Sequence, residues 1–218
     1  MKTSPVATGL LSLVLALGGV ACDPVVAGSS TDPATGTGGG QGADGGGQAS
    51  AGPIVKNIVL NGSGCRDAGS ASVTVAPEGG AITVTYASMT LASAPGTTFQ
   101  HINCTVGITL AGTAGRRLAV TGSTKQGVAH LPAGASGHVM SSLSFAGDPR
   151  SFDGHSTLNG PTSEPFVLTD AVTPGSGVAS TCGEDMIVNL NTSLNLSAPS
   201  SASMAIASLK VAFTWEPC

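Results

Sequence analysis

An all-β fold is the expectation for this chain: an antiparallel β-sandwich or jelly roll of about eight to ten strands, held by two disulfides. Three observations predict it. Apolar and polar residues alternate at period two through residues 54–215. Turn signals rich in Gly and Pro separate the alternating runs. Charged residues make up 9% and aromatics 3% of 218 residues, with 32 Gly, a composition that suits short strands and tight turns rather than amphipathic helices.

The runs follow in order. Ile54 to Leu60 opens the fold. Ile82, Val84 and Tyr86 alternate with Thr83 and Thr85, and Val106, Ile108 and Leu110 follow Cys104 on one parity. Leu118 and Val120 belong to another run, and Val139 to Phe145 to a less regular one. Met186, Val188, Leu190, Leu194 and Leu196 share a parity, which leaves Asn189, Asn191, Ser193 and Asn195 on a wet face. Leu209, Val211, Phe213 and Trp215 form the last run. Turn signals fall at Asn61-Gly62, Pro77 to Gly80, Pro95-Gly96, Leu131 to Gly137, Asp153-Gly154, Asn159 to Pro161 and Pro174-Gly175. No convincing helix and no internal repeat stands out. With so few rings, each is expected to fill a fixed slot in a core of Val, Leu, Ile and Ala. Trp215 reads as a core ring rather than a ligand platform.

The N-terminal part reads as an address. Met1-Lys2 supplies a positive charge, Leu10 to Leu17 an apolar run too short to span a bilayer comfortably, and Gly19-Val20-Ala21 the small residues of a cleavage site. Cys22 follows as in the lipobox of bacterial lipoproteins, with Gly19 where an aliphatic residue is usual. Ordinary cleavage before a cysteine is the rival reading. Five Cys is an odd number, and setting Cys22 aside for acylation leaves four for two bridges. Residues 1–21 are therefore expected to be a signal peptide, 22–52 a lipidated cysteine with a Gly-rich flexible tether, and 53–218 a disulfide-stapled β domain. The implied localisation is the bacterial cell envelope, lipid-anchored, with soluble secretion as the alternative.

Cys65, Cys104, Cys182 and Cys218 allow three connectivities. Pairing of sequence neighbours, Cys65 with Cys104 and Cys182 with Cys218, is preferred, each loop stabilising by about 3–4 kcal/mol in the chain-entropy model. Wide spacing argues against zinc, which favours close pairs.

Several segments resemble one family. Asn61 to Cys65, Ile82 to Tyr86 and Asn103-Cys104 look like its N-terminal half. Thr157 to Pro161, Leu168 to Asp170, Cys182-Gly183, Val188 to Thr192 and Trp215 to Cys218 look like its C-terminal half. The family is domain of unknown function 4360, small secreted proteins of fungi and bacteria. The resemblance implies export, a β domain and disulfides, and no reaction. Family members often carry an acidic cluster with a Tyr after the Gly-Pro, where this chain has Thr162 to Phe166. The stretch from Arg116 to Asp153 matches poorly.

The search for chemistry yields only isolated candidates. The net charge of −4 and the scattered Lys and Arg give no footprint for nucleic acid. No hydrolase elbow, zinc-protease helix or nucleotide loop is present. Gly154 to Thr157 looks briefly like a nucleophile turn but lacks the flanking glycines. His130 and His138 flank Leu131 to Gly137, and if that segment is a hairpin tip the two imidazoles face each other and hold a metal; the alternative is two exposed histidines at a loop. The acidic candidates are Asp148, Asp153, Glu164, Asp170, Glu184 and Asp185, of which Glu184 and Asp185 with Asp170 offer oxygen ligands for Ca²⁺; the alternative is acids that occupy turns and strand ends because water solvates them there. Asn61, Asn103, Asn191 and Asn195 each begin an N-x-[ST] pattern, relevant only to a eukaryotic secreted protein. No cofactor is expected. The expected partners are a membrane through the lipid anchor and an envelope protein or polymer. The function expected is a non-enzymatic envelope or surface module, with a hydrolase of cell-wall polymers as the alternative.

Overall fold

The computed structural model describes residues 53–76, 78–94, 98–173 and 177–218. The expected signal peptide, the acylation site Cys22 and the tether lie outside the described residues.

Eleven strands run along the described chain, one more than the upper end of the expected range: β1 (Val55–Asn61), β2 (Ala71–Val75), β3 (Ala81–Tyr86), β4 (Thr90–Ser93), β5 (Phe99–Leu110), β6 (Arg116–Leu131), β7 (Ser136–Phe145), β8 (Ser151–Asn159), β9 (Thr162–Ala171), β10 (Met186–Ser197) and β11 (Ala202–Pro217). The added elements are short, as β2 and β4 are, so alternation has too few residues in them to register.

Two antiparallel sheets result. One has the order β1-β5-β10-β7-β8 and the other β2-β3-β11-β6-β9, with β4 pairing β11 beyond the end of β3. The inner faces meet in a dry core. Cys104, Val106 and Ile108 on β5 and Val188, Leu190 and Leu194 on β10 are fully buried there. From the second sheet come Ile82, Val84, Leu209, Val211 and Phe213. Phe145 and Phe213 meet edge to face across the gap at 6.3 Å. Tyr86 on β3 and Thr192 on β10 join the sheets through a buried hydrogen bond of 2.7 Å. Burial pushes the Tyr86 hydroxyl above the usual phenol range, and Thr192 draws it part of the way back. Thr192 is thus buried between the sheets; Ser193 points outward as expected but is buried there rather than wet, while Asn191 is exposed and Asn195 half-buried.

Two β-bulges reset which side chains point inward. In the β6–β11 ladder, Val120 pairs Phe213 and Gly122 pairs Ala212, so Thr121 is an extra residue. Before it Leu118 and Val120 face the core. After it Ser123, Lys125, Gly127, Ala129 and Leu131 do. Ala207 plays the same part on β11, where Met204 and Ile206 precede it and Leu209, Val211 and Phe213 follow.

Both disulfides have the expected pairing, with Cα–Cα distances of 5.2 Å for Cys65–Cys104 and 5.9 Å for Cys182–Cys218. Their surroundings differ. Cys65 and Cys104 are fully buried and tie the loop after β1 to β5, whereas Cys182 and Cys218 are exposed. Trp215 is half-buried against the core. Its Nε1–H donates to the Glu78 carbonyl, and Arg116 lies 5.9 Å over the ring. Phe99 departs from the expected pattern: it stands 61% exposed at the start of β5.

Candidate functional site

The structure separates the candidate metal ligands. Leu131 to Gly137 is not a hairpin tip, because β6 belongs to one sheet and β7 to the other. The segment is a crossover, so His130 and His138 end on different sheets. His130 Nδ1 lies 2.7 Å from Ser163 Oγ, and His138 Nδ1 lies 3.0 Å from Thr157 Oγ1. The three acids do not converge either. Asp170 pairs with Lys125 and Asp185 pairs with Lys56, while Glu184 is exposed. Lys56 holds the Asp185 carboxyl below the usual carboxylate range, with the Gly112 N–H adding to the effect. Among the described residues no three His, Cys, Asp or Glu are placed to hold a metal ion.

Gly154 to Thr157 is the middle of strand β8, not a turn. His155 and Ser156 are adjacent in a strand, so they project to opposite faces. Asp148 and Arg150 line a cavity of about 270 Å³ with Ala179 to Thr181. The guanidinium makes bidentate contact with the carboxylate. It draws the Asp148 carboxyl down to about 2, and Asp148 in turn raises Arg150. Each displacement is caused by the other group, which leaves neither free as an acid or base. Asp153 receives a hydrogen bond from Ser151 and Glu164 one from Thr162.

The outer face of the five-stranded sheet carries a different kind of arrangement. The strand registers line up its outward side chains in rows. One row runs His101, Asn195, His138 and Thr157 across β5, β10, β7 and β8. The next runs Asn103, Ser193, Met140 and His155. A third starts on β1 and runs Asn61, Thr105, Asn191, Ser142 and Asp153. The fourth runs Val59, Gly107, Asn189, Ser144 and Ser151. Strands are about 4.8 Å apart and alternate residues about 6.8 Å apart, so the rows form a lattice roughly 20 Å on a side.

In these rows Asp153 is the one charged side chain; the rest are mostly amides, hydroxyls and imidazoles. Neighbours within a row bond to each other: His101 Nδ1 meets Asn195 Oδ1 at 2.6 Å, beside the His138–Thr157 pair. Such bonds hold the side chains in place and leave their outer lone pairs and N–H groups to face water. The asparagines of all four N-x-[ST] patterns lie on this face. The alternation of His101, Asn103 and Thr105 with Ile102, Cys104 and Val106 is visible in sequence. The rows are not, since they depend on register.

Inside the sandwich lies one charged group that sequence reasoning missed. Lys125 is completely buried, with Nζ 2.7 Å from Asp170 Oδ2 on β9. The same oxygen accepts a hydrogen bond of 3.0 Å from Ser123 Oγ. The Lys–Asp approach is close but poorly angled for a hydrogen bond, so the buried nitrogen has no hydrogen-bond acceptor. Gly154 covers the pair from β8. A Cβ there would sit 2.9 Å from Lys125 Nζ and closer still to the Asp170 carboxylate.

The fold and its sites define an all-β, disulfide-stapled sandwich with a polar outer face that carries a single charge in its rows and, among the described residues, an ion pair with a wholly buried lysine. The chain belongs to the domain of unknown function family DUF4360, whose profile matches residues 51–218. A similar protein is an uncharacterized secreted protein of Arthroderma benhamiae, 28% identical over 146 residues. The match takes in 66% of this chain and 59% of the relative's length. Among solved structures, TmCBM61 in complex with β-1,4-galactotriose aligns over 75% of this chain and 90% of its own, at 10% identity and a TM-score of 0.32. A CBM4 structure aligns over 74% and 86%, at 14% identity and a TM-score of 0.20. Likenesses this loose bear on neither fold nor function.

Proposed function

We propose that this protein is an exported, non-catalytic surface module that holds an uncharged, hydroxyl-rich polymer against the outer face of its five-stranded sheet. The observation that carries this reading is the lattice of amide, hydroxyl and imidazole groups described above, in which Asp153 is the one charge. A planar array of mixed donors and acceptors matches a chain of sugar hydroxyls, which offer both. The array is large enough for several sugar units, and its internal hydrogen bonds fix the side chains before binding, which lowers the ordering cost. Phe99, exposed at the rim of the same face, adds an apolar ring. Asp148 and Arg150, which line one of the cavities, are engaged with each other, which favours binding over hydrolysis there.

Export is supported by the secreted relative and by the signal-like residues 1–21. In this reading Cys22 is acylated, and the Gly-rich residues 23–52 separate the module from its lipid anchor. Cys22→Ala is expected to move the protein from the membrane fraction to the soluble one.

The binding reading is tested by co-sedimentation with insoluble polysaccharides of several linkages, including galactans, glucans, chitin and peptidoglycan. At least one is expected to retain the wild type, and replacing His101, Asn195 and His138 together by Ala is expected to weaken that retention tenfold or more (about 1.4 kcal/mol). Equal behaviour of wild type and variant on every polymer sinks the proposal.

A further inference from the structure

The geometry points to a covalent cross-link: an isopeptide bond formed autocatalytically between Lys125 Nζ and the side-chain carboxyl of Asp170, joining β6 to β9. The two residues meet across neighbouring strands. In the β6–β9 ladder Asp170 pairs with Ser123 and Leu168 with Lys125, so the Lys and Asp are diagonal partners on the inner face. Their separation of 2.7 Å is set by two adjacent strands of one sheet, not by a flexible loop. Effective molarities for reactants held in this way reach about 10⁵–10⁸ M.

The surroundings favour the product. A fully buried ammonium beside a carboxylate that is itself mostly buried carries a desolvation cost that geometry must recover. Here the geometry does not recover it fully, because Nζ is buried without a hydrogen-bond acceptor. An amide carries no charge, and it exposes one donor where the ammonium exposes three. A desolvated lysine is also a competent nucleophile once it gives up a proton.

The step balances without any other reagent. The ammonium hands a proton to Asp170 Oδ2, the oxygen it already touches. The amine lone pair then attacks Cγ. The Nζ–Cγ bond forms, the Cγ–Oδ2 bond breaks, and the oxygen leaves as water with two of the three ammonium protons. The third proton stays on the amide nitrogen. Ser123 Oγ–H, donating to the same Oδ2 at 3.0 Å, orients the departing oxygen. Gly154 roofs the pair closely enough that a side chain there would push it apart, and on that side the roof shields Lys125 Nζ, which is wholly buried.

Peptide mapping of the folded, mature protein decides the matter. After denaturation, reduction and tryptic digestion, the unlinked chain yields Leu118–Lys125, Gln126–Arg150 and Ser151–Lys210 as separate peptides. The cross-linked chain yields Leu118–Arg150 uncut at Lys125, joined to Ser151–Lys210, and lighter than the sum by one water. Recovery of the joined species from wild type, and its loss in Lys125→Arg that still forms both disulfides, is the expected result. Only the separate peptides from folded wild type overturn the proposal. So does a joined peptide that persists in Lys125→Arg, since its link then lies elsewhere.

Discussion

Along one long edge of the sandwich, β1 and β2 leave a gap of about 590 Å³ lined by Ile58, Leu60, Ala71 and Val73. The loop carrying Arg66 and Asp67 covers it, and the Cys65–Cys104 bridge fixes that loop to β5. Along the opposite edge, β8 and β9 close over Lys125 and Asp170, with Gly154 pressed onto them. Both edges face the same problem, since each exposes the seam between two inner faces. The first is sealed by apolar contact and a staple, which weaken gradually as surface is trimmed. The second is sealed by one pair of charged or linked groups, which fails as a unit when either partner is lost.

Removing one partner of the polar seam is therefore the most damaging change. Asp170→Ala leaves Lys125 buried and unpaired, and is expected to cost at least about 3–5 kcal/mol in denaturant unfolding. A loss below about 1 kcal/mol would erase the contrast between the seams. Next is the staple of the apolar seam. Replacing Cys65 and Cys104 together by Ser is expected to cost about 2–5 kcal/mol. The exposed Cys182–Cys218 bridge, treated in the same way, is expected to sit at the low end of that range, because its loss strips no buried contact. Equal losses for the two bridges would show that loop closure alone sets their worth. Smaller again is Leu60→Ala, about 1–2 kcal/mol, below the usual core value because Leu60 is only half-buried.

The least effect on stability belongs to Asp148, away from both seams. Its carboxyl is held at about 2 by Arg150, below its unfolded value. A depressed carboxyl contributes stability above the unfolded carboxylate range and loses it as pH falls through about 2. Arg150→Gln is expected to move that titration upward in a carbon-detected NMR experiment, with little change in unfolding at neutral pH.

Much of the architecture was legible because strands write themselves as alternation. The parity of Met186 to Leu196 and of Leu209 to Phe213 matched burial, and the four domain cysteines paired as sequence neighbours. The interior lysine was hidden by a single residue. Reading on from Leu118 and Val120 puts Lys125 on the outside, and only the bulge at Thr121 turns it inward. Whether His130 and His138 face each other was undecidable from sequence for a related reason: alternation says that a strand has two faces, not which sheet it joins. The rows of the polar face were out of reach too, since register is a property of pairs of strands and no single segment contains it.

Strand β11 is last of the eleven in chain order, yet it sits in the middle of its sheet, between β3 and β4 on one side and β6 on the other. Until it arrives, β6 and β9 have no link to β2 and β3. A ribosome or a translocation channel releasing this chain from its N-terminus thus delivers ten strands before the one that organises five of them. The six-stranded sheet cannot close until β11 has emerged. The wait is coupled to slow closure of distant pairings once the last strand is free.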